Sequence, residues 1–168
     1  MVGTHPAGLN SERPFRQYKV AFPGNIAFVF DDLSAAQRFA DDLFVIQQSL
    51  KKKQDERAAR LESRADEYRA LAVKPPVTEE QRKLIVQANV LNQQQDYTGA
   101  IALYLQAIDL DPVSYPGAYF NLALLSAQMK RYNTAIRYMK QYLQLAPEPA
   151  DARSAQDKIY EWELLGKK

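Results

Sequence analysis

The stretch DYTGAIALYLQAIDLDP, residues 96–112, decides the fold, because its pattern returns in RYNTAIRYMKQYLQLAP, residues 131–147. A shift of 35 residues superimposes the two stretches and extends the match upstream. Eight residues are identical at this shift, and in the first copy they are Ala88, Gln93, Tyr97, Ala100, Ile101, Gln106, Leu110 and Pro112. Self-similarity at a period of 20 to 50 residues is typical of repeat proteins, so we expect two stacked repeats.

The residue types within each copy predict a pair of antiparallel helices. Ala88 and Ala100 are small, which allows two helices to approach closely. Apolar residues then follow Ala100 at the three- and four-residue spacing of an amphipathic helix. Pro112 and Pro147 end the second helix of each pair, since proline cannot continue a helix.

The pattern DYxxAIxxYxxAIxLDP, which begins at Asp96, resembles the second half of a tetratricopeptide repeat. The second copy resembles it too, although Tyr142 stands where the family usually has alanine. The resemblance covers about residues 81–165 and is to bacterial-type members of the family. It implies a mainly α fold, an α-α superhelix with repeats at 81–114 and 116–149 and a capping helix at 150–165. It also implies a non-enzymatic scaffold or adaptor that binds another protein or peptide.

The N-terminal part predicts a small β-hairpin and a long helix within a domain of residues 16–73, preceded by a flexible lead at 1–15. Two short apolar runs, 18–22 and 26–30, flank the turn-forming Pro-Gly-Asn. A helix free of Gly and Pro can then run from a capping box at Ser34-x-x-Gln37 to about Ala72.

The apolar residues of this long helix form two seams at four- and three-residue spacing. The first comprises Phe39, Leu43, Ile46 and Leu50, and the second comprises Leu61, Ala65, Tyr68 and Ala72. We expect the second seam to cap the repeats. A hairpin alone is marginal in water, so it either packs on Phe39, Leu43 and Ile46 or pairs across a homodimer.

The composition argues against catalysis and against several other classes of protein. There is no cysteine, and the single histidine, His5, lies in the predicted flexible lead. We therefore predict no catalytic residues, no cofactor site and no metal site. Nucleic-acid and lipid-surface binding are disfavoured, because the basic residues from Lys51 to Arg64 are interleaved with acidic residues that can form helical ion pairs.

The longest uninterrupted apolar run is 26–30, which is far short of the roughly 20 residues needed to cross a membrane, so membrane insertion is not expected. The first ten residues have no apolar core of the kind found in a secretory signal. The compartment stays open: the protein is cytoplasmic, or it is periplasmic or extracytoplasmic, including as a lipoprotein, after loss of a signal segment.

The resemblance implies that partners bind in the groove lined by the first helix of each repeat. Alignment to the family places these residues in it: Arg82, Ile85, Val86, Asn89, Asn92, Gln93, Phe120, Asn121, Leu124 and Gln128. One subclass clamps a carboxylate with two asparagines and three basic residues. Asn89 and Asn121 match its asparagines, but Ile85, Asp151 and Ala155 stand at the basic positions, so a charge clamp is not expected.

Two alternatives remain open for the groove. It is available to a partner, or residues 34–72 of the same chain fill it. In the second case we expect a self-assembling, homodimeric structural protein that uses the hairpin and the first seam.

Overall fold

A computed structural model describes residues 17–22, 26–145 and 149–167. Within this part of the chain there are two strands and six helices, whose bounds are β1 Tyr18–Phe22, β2 Ile26–Phe30, α1 Leu33–Ala70, α2 Glu79–Gln93, α3 Tyr97–Leu110, α4 Gly117–Gln128, α5 Tyr132–Leu145 and α6 Pro149–Leu165. The predicted fold class is confirmed. The predicted flexible lead at 1–15, including His5, lies outside the described residues. The chain divides into two compact units, Met1–Lys52 and Lys53–Lys168.

The first unit contains the predicted hairpin. Strands β1 and β2 are antiparallel, with Tyr18 opposite Phe30 and Val20 opposite Phe28. The rings of Phe28 and Phe30 contact the ring of Phe39 on α1, with centroids 4.9 and 5.2 Å apart. The hairpin therefore packs on Phe39 at the start of α1, as the first of the two predicted arrangements requires. Ile46 is 53% exposed, so its predicted place under the hairpin is wrong.

Helix α1 is capped by Asp32 and not by Ser34, so the predicted capping box is wrong. The Asp32 carboxylate accepts hydrogen bonds from the backbone N–H of Ser34 at 3.2 Å and of Ala35 at 3.1 Å. It also accepts one from the Ser34 hydroxyl, which is the main reason that the pKa of Asp32 lies below its ordinary value. Ser34 thus supports the cap from the first turn of the helix.

The second unit contains the repeats, in which α2 pairs with α3 and α4 pairs with α5. The alanines at 88, 100, 123 and 135 are fully buried, as their small size predicted. Tyr104 and Leu122 are buried in the core that spans the first pair and α4. Close helix contact at alanine and apolar packing between pairs therefore hold the repeats together.

Both helix pairs turn through the same backbone motif. The N–H of Asp96 donates to the carbonyl of Leu91, and the N–H of Gln95 donates to that of Asn92. These two bonds define a Schellman motif, whose left-handed position is Gln95 with φ of 64°. The second pair repeats the motif at residues 126–131, with Lys130 at φ of 58°. The backbone thus has the same 35-residue period as the sequence.

The helices before and after the repeats, α1 and α6, cover apolar faces of the array. Leu61, Ala65 and Tyr68 of α1 are buried in a core that contains residues of α2, α3 and α4 and Leu145 of α5, so α1 lies against both repeats. Ala72 is exposed, because α1 ends at Ala70, so its predicted place in the seam is wrong. At the other end, Ala155, Ile159 and Trp162 of α6 are buried against the second repeat. Such capping is what a two-repeat array requires.

Candidate functional site

The predicted groove residues lie on α2 and on α4, the first helices of the two repeats. Val86 is 52% exposed and Leu124 is 36% exposed, whereas Ile85 is buried. Phe120 is half-buried, because its ring contacts that of Tyr142 at a centroid distance of 5.2 Å. Of the predicted apolar residues, Val86 and Leu124 are therefore the ones that offer exposed surface.

The two predicted asparagines are joined through one buried tyrosine. The hydroxyl of Tyr104 donates to Asn89 Oδ1 and accepts from Asn121 Nδ2 at 2.9 Å. Burial is the main reason that the pKa of Tyr104 lies above its ordinary value, so the hydroxyl stays protonated and can donate. Asn89 and Asn121 thus connect α2, α3 and α4, a structural role that the alignment did not suggest.

A pocket of about 150 Å³ lies at the junction between the repeats. Four predicted residues line it, namely Asn92, Asn121, Leu124 and Gln128, together with Tyr97 and Leu125. Tyr97 and Leu125 were not predicted as groove residues, because the repeat pattern assigns both positions to packing between helices. The pocket combines amide donors and acceptors with an apolar wall, which is the chemistry that side-chain recognition of a peptide uses.

Three further residues are exposed on α2. Arg82 is exposed, with its guanidinium 3.8 Å from the carboxylate of Glu79, and Gln93 is exposed at the end of α2. Val90 is 44% exposed one helical turn after Val86. Val90 lies two residues before Asn92 and therefore on another face of α2 from the pocket.

Two α1 arginines that were candidates for phosphate binding, Arg57 and Arg64, form ion pairs with carboxylates of the same chain. Arg57 forms two hydrogen bonds of 2.6 Å with the Asp109 carboxylate, and Arg64 bonds Asp111 at 2.6 Å. Arg60 donates to the carbonyl of Asp109 at 3.1 Å. The prediction of ion pairs along the exposed helix was wrong for Arg57 and Arg64, since these partners lie at and just after the end of α3.

Metal sites and membrane spans are two further features that the described residues lack. Among residues 17–22, 26–145 and 149–167, no group of three or more His, Cys, Asp and Glu side chains is arranged to hold a metal ion. In the same part of the chain, no helix has the length and apolar character needed to span a membrane.

The paired helices, their repeated turns and their buried alanines define a helical-hairpin repeat protein. Comparison with family profiles agrees: residues 88–130 match the profile described as TPR repeat, and residues 116–149 match that described as Tetratricopeptide repeat. Residues 88–149 therefore consist of tetratricopeptide repeats. No curated protein matches it at a significant level. Tetratricopeptide repeats are generally protein–protein interaction modules and are typically not catalytic.

Proposed function

We propose that this protein is a non-enzymatic adaptor that binds a segment of a partner protein in the groove between α2 and α4. The observation that carries the proposal is the pocket at the repeat junction, where exposed Leu124 lies beside the amide side chains of Asn92, Asn121 and Gln128, together with exposed Val86 on α2. Exposed apolar side chains next to amide groups suit a ligand that inserts a side chain and forms a few hydrogen bonds.

The ligand segment is read by packing and not by a terminal carboxylate. Ile85 and Ala155, which stand at two of the basic positions of the carboxylate-clamping subclass, are buried apolar residues. Asn89 and Asn121 are already hydrogen-bonded to Tyr104. We therefore expect a short helix or extended peptide whose apolar side chain enters the pocket beside Leu124.

A photocrosslinking amino acid at position 124 tests this proposal, because it traps whichever protein occupies the groove. Leu164 of α6 is also an exposed leucine, so the same group at position 164 is the matched control. We expect one protein to be crosslinked from position 124, with the yield reduced by Val86→Ala. Equal crosslinking from positions 124 and 164, or no change with Val86→Ala, would refute a role for the groove.

A homodimer formed through the first unit is a second candidate, which the exposure of one α1 segment favours. Phe44, Val45, Ile46 and Leu50 are 53 to 62% exposed, an unusual density of large apolar side chains on a surface. Association of two copies would bury them and stabilise the protein through the hydrophobic effect.

Sedimentation at increasing protein concentration tests the dimer. We expect the dimeric fraction to fall with Ile46→Ser and Leu50→Ser, and to be unchanged with Val73→Ser, which alters an exposed valine beyond α1. A wild-type protein that stays monomeric at high micromolar concentration would rule the dimer out.

A further inference from the structure

A second groove lies between the later part of α1 and helix α5, within the second unit. Its volume is about 490 Å³, larger than that of the pocket between α2 and α4. The α1 wall comprises Gln54, Asp55, Ala58 and Glu62, and the α5 wall comprises Asn133, Ile136, Arg137, Lys140, Gln141 and Gln144. The repeat family does not assign this surface a role, since it depends on the helix that precedes the repeats.

The two walls carry opposite charge. Asp55 and Glu62 are exposed on α1, and Lys140 is exposed on α5, where Arg137 is half-buried. Within the described part of the chain, none of these four side chains forms an ion pair. The Arg137 guanidinium contacts the Tyr138 ring, with 5.0 Å between the guanidinium carbon and the ring centroid. The groove is thus wide enough to keep an acidic and a basic wall apart.

The basic wall also has unused hydrogen-bonding capacity. Among the described residues, Arg137 Nε and Gln141 Oε1 are buried atoms without a hydrogen-bond partner. They are a donor and an acceptor four residues apart, so both side chains project from one face of α5. A buried polar atom without a partner is unfavourable, and a small rotation of either side chain toward a bound amide would relieve that cost.

We propose that this groove binds an extended peptide segment of another protein in which acidic and basic residues alternate. Side chains of an extended chain point alternately to opposite sides. The basic side chains of such a segment face Asp55 and Glu62, and its acidic side chains face Arg137 and Lys140. Its backbone offers the carbonyl and the N–H that Arg137 and Gln141 can use. This site is separate from the α2/α4 groove and does not depend on the function proposed there.

Two labelled hexapeptides of identical composition, EKEKEK and EEEKKK with blocked termini, test the inference by fluorescence anisotropy at low salt. Only the alternating peptide can present one charge to each wall, so we expect it to bind more tightly than the segregated peptide. Added salt weakens this binding, because the groove is open to solvent. Amide chemical shifts should change at residues 54–62 and 133–144 and not at Asn92 or Gln128.

A double variant that neutralises one charge on each wall tests whether these charges bind the peptide. We expect Glu62→Gln combined with Lys140→Gln to weaken binding of the alternating peptide about tenfold, since each partly exposed charge contributes modestly. Glu80→Gln combined with Lys83→Gln removes the same two charges from the exposed face of α2 and should leave the affinity unchanged.

Four results would overturn the proposal. The first is equal affinity for the alternating and segregated peptides, and the second is unchanged affinity in the Glu62/Lys140 variant. The third is chemical-shift changes confined to the α2/α4 groove. The fourth is absence of binding by either peptide at millimolar concentration. Failure of the photocrosslinking at position 124 would leave these measurements unaffected, so the two sites are tested independently.

Discussion

Gln81 is the buried polar side chain that joins the two ends of the first repeat. Its amide nitrogen donates to the carbonyls of Ala107 at 2.9 Å and Asp111 at 3.0 Å, and its oxygen accepts from the Ser114 hydroxyl at 2.7 Å. The side chain is almost completely buried. One residue on α2 thereby fixes the end of α3 and the loop that leads to α4.

Replacing Gln81 with leucine keeps most of the volume and removes all three hydrogen bonds. At about 1 kcal/mol net for each bond, the loss is about 3 kcal/mol. Burial of the additional apolar surface of leucine stabilises the folded state by about 1 kcal/mol, which offsets part of this loss. We therefore expect Gln81→Leu to lower the free energy of unfolding by about 2 kcal/mol, or the melting temperature by about 4–8 °C for a chain of this size.

Urea unfolding followed by circular dichroism measures this change. Gln87→Leu is the matched control, because Gln87 is exposed on the same helix, and its effect should be within about 0.5 kcal/mol. Ser114→Ala removes one of the three bonds, so it should cost about 1 kcal/mol. If Gln81→Leu were as stable as the Gln87 control, the hydrogen bonds would contribute nothing net and the reasoning would be wrong.

Three further predictions concern the same unit. Leu61→Ala should destabilise it by about 2–5 kcal/mol in urea unfolding, since Leu61 is fully buried; a loss below about 1 kcal/mol would contradict its role as a cap. Tyr104→Phe should cost about 1 kcal/mol in thermal unfolding, because two asparagines lose their shared partner, and an unchanged melting temperature would argue against that network. A double-mutant cycle on Arg57 and Asp109 should give about 0.5–1 kcal/mol at pH 7 for this partly exposed pair. The Arg57 hydrogen bond lowers the pKa of Asp109 below its ordinary 3.8, so the coupling should persist above pH 3.8 and vanish as the pH falls through the lowered value; coupling that does not decrease as the solution is acidified would contradict this.

The repeat architecture could be predicted from sequence because its determinants are local and recur. Ala88 and Ala123 mark close contact between helices, and Pro112 marks the end of a helix whatever the surrounding fold. The seam of Leu61, Ala65 and Tyr68 was equally readable, since periodicity reports which face of a helix is buried. The domain boundaries drawn from the same patterns stay a prediction.

Hydrogen-bond partners could not be predicted in the same way, because periodicity identifies a face and not what lies opposite it. The sequence Thr78-x-x-Gln81 has the capping-box pattern, and Thr78 caps α2 by accepting from the backbone N–H of Gln81 at 3.2 Å. The capping-box pattern also expects Gln81 to reach back toward Thr78, whereas the side chain instead bonds Ala107, Asp111 and Ser114. The Gln81 side chain therefore bonds residues that are distant in the sequence and not the neighbouring Thr78 backbone.

For the candidate groove, too, the sequence predicts which helices are involved but not which side chains are exposed or hydrogen-bonded. Alignment to the family placed the predicted groove residues on α2 and α4, because the helices follow the repeat. It could not distinguish Val86, which is exposed, from Ile85, which is buried one residue earlier. Nor could it show that Asn89 and Asn121 are bonded to Tyr104. Binding residues in the groove therefore remain a proposal to be tested at Val86 and Leu124.

Different side chains of helix α1 contribute to folding stability and to the proposed binding site. Leu61 and Tyr68 are buried and stabilise the repeats, whereas Asp55 and Glu62 are exposed and line the groove beside α5. Exposed charges contribute little to folding, so changes at the second pair can alter ligand preference at nearly constant stability. Changes at Leu61 cannot, because a repeat array without its cap loses both the fold and the wall of the groove. The binding chemistry of this surface can thus be altered through its charges while the buried seam is kept.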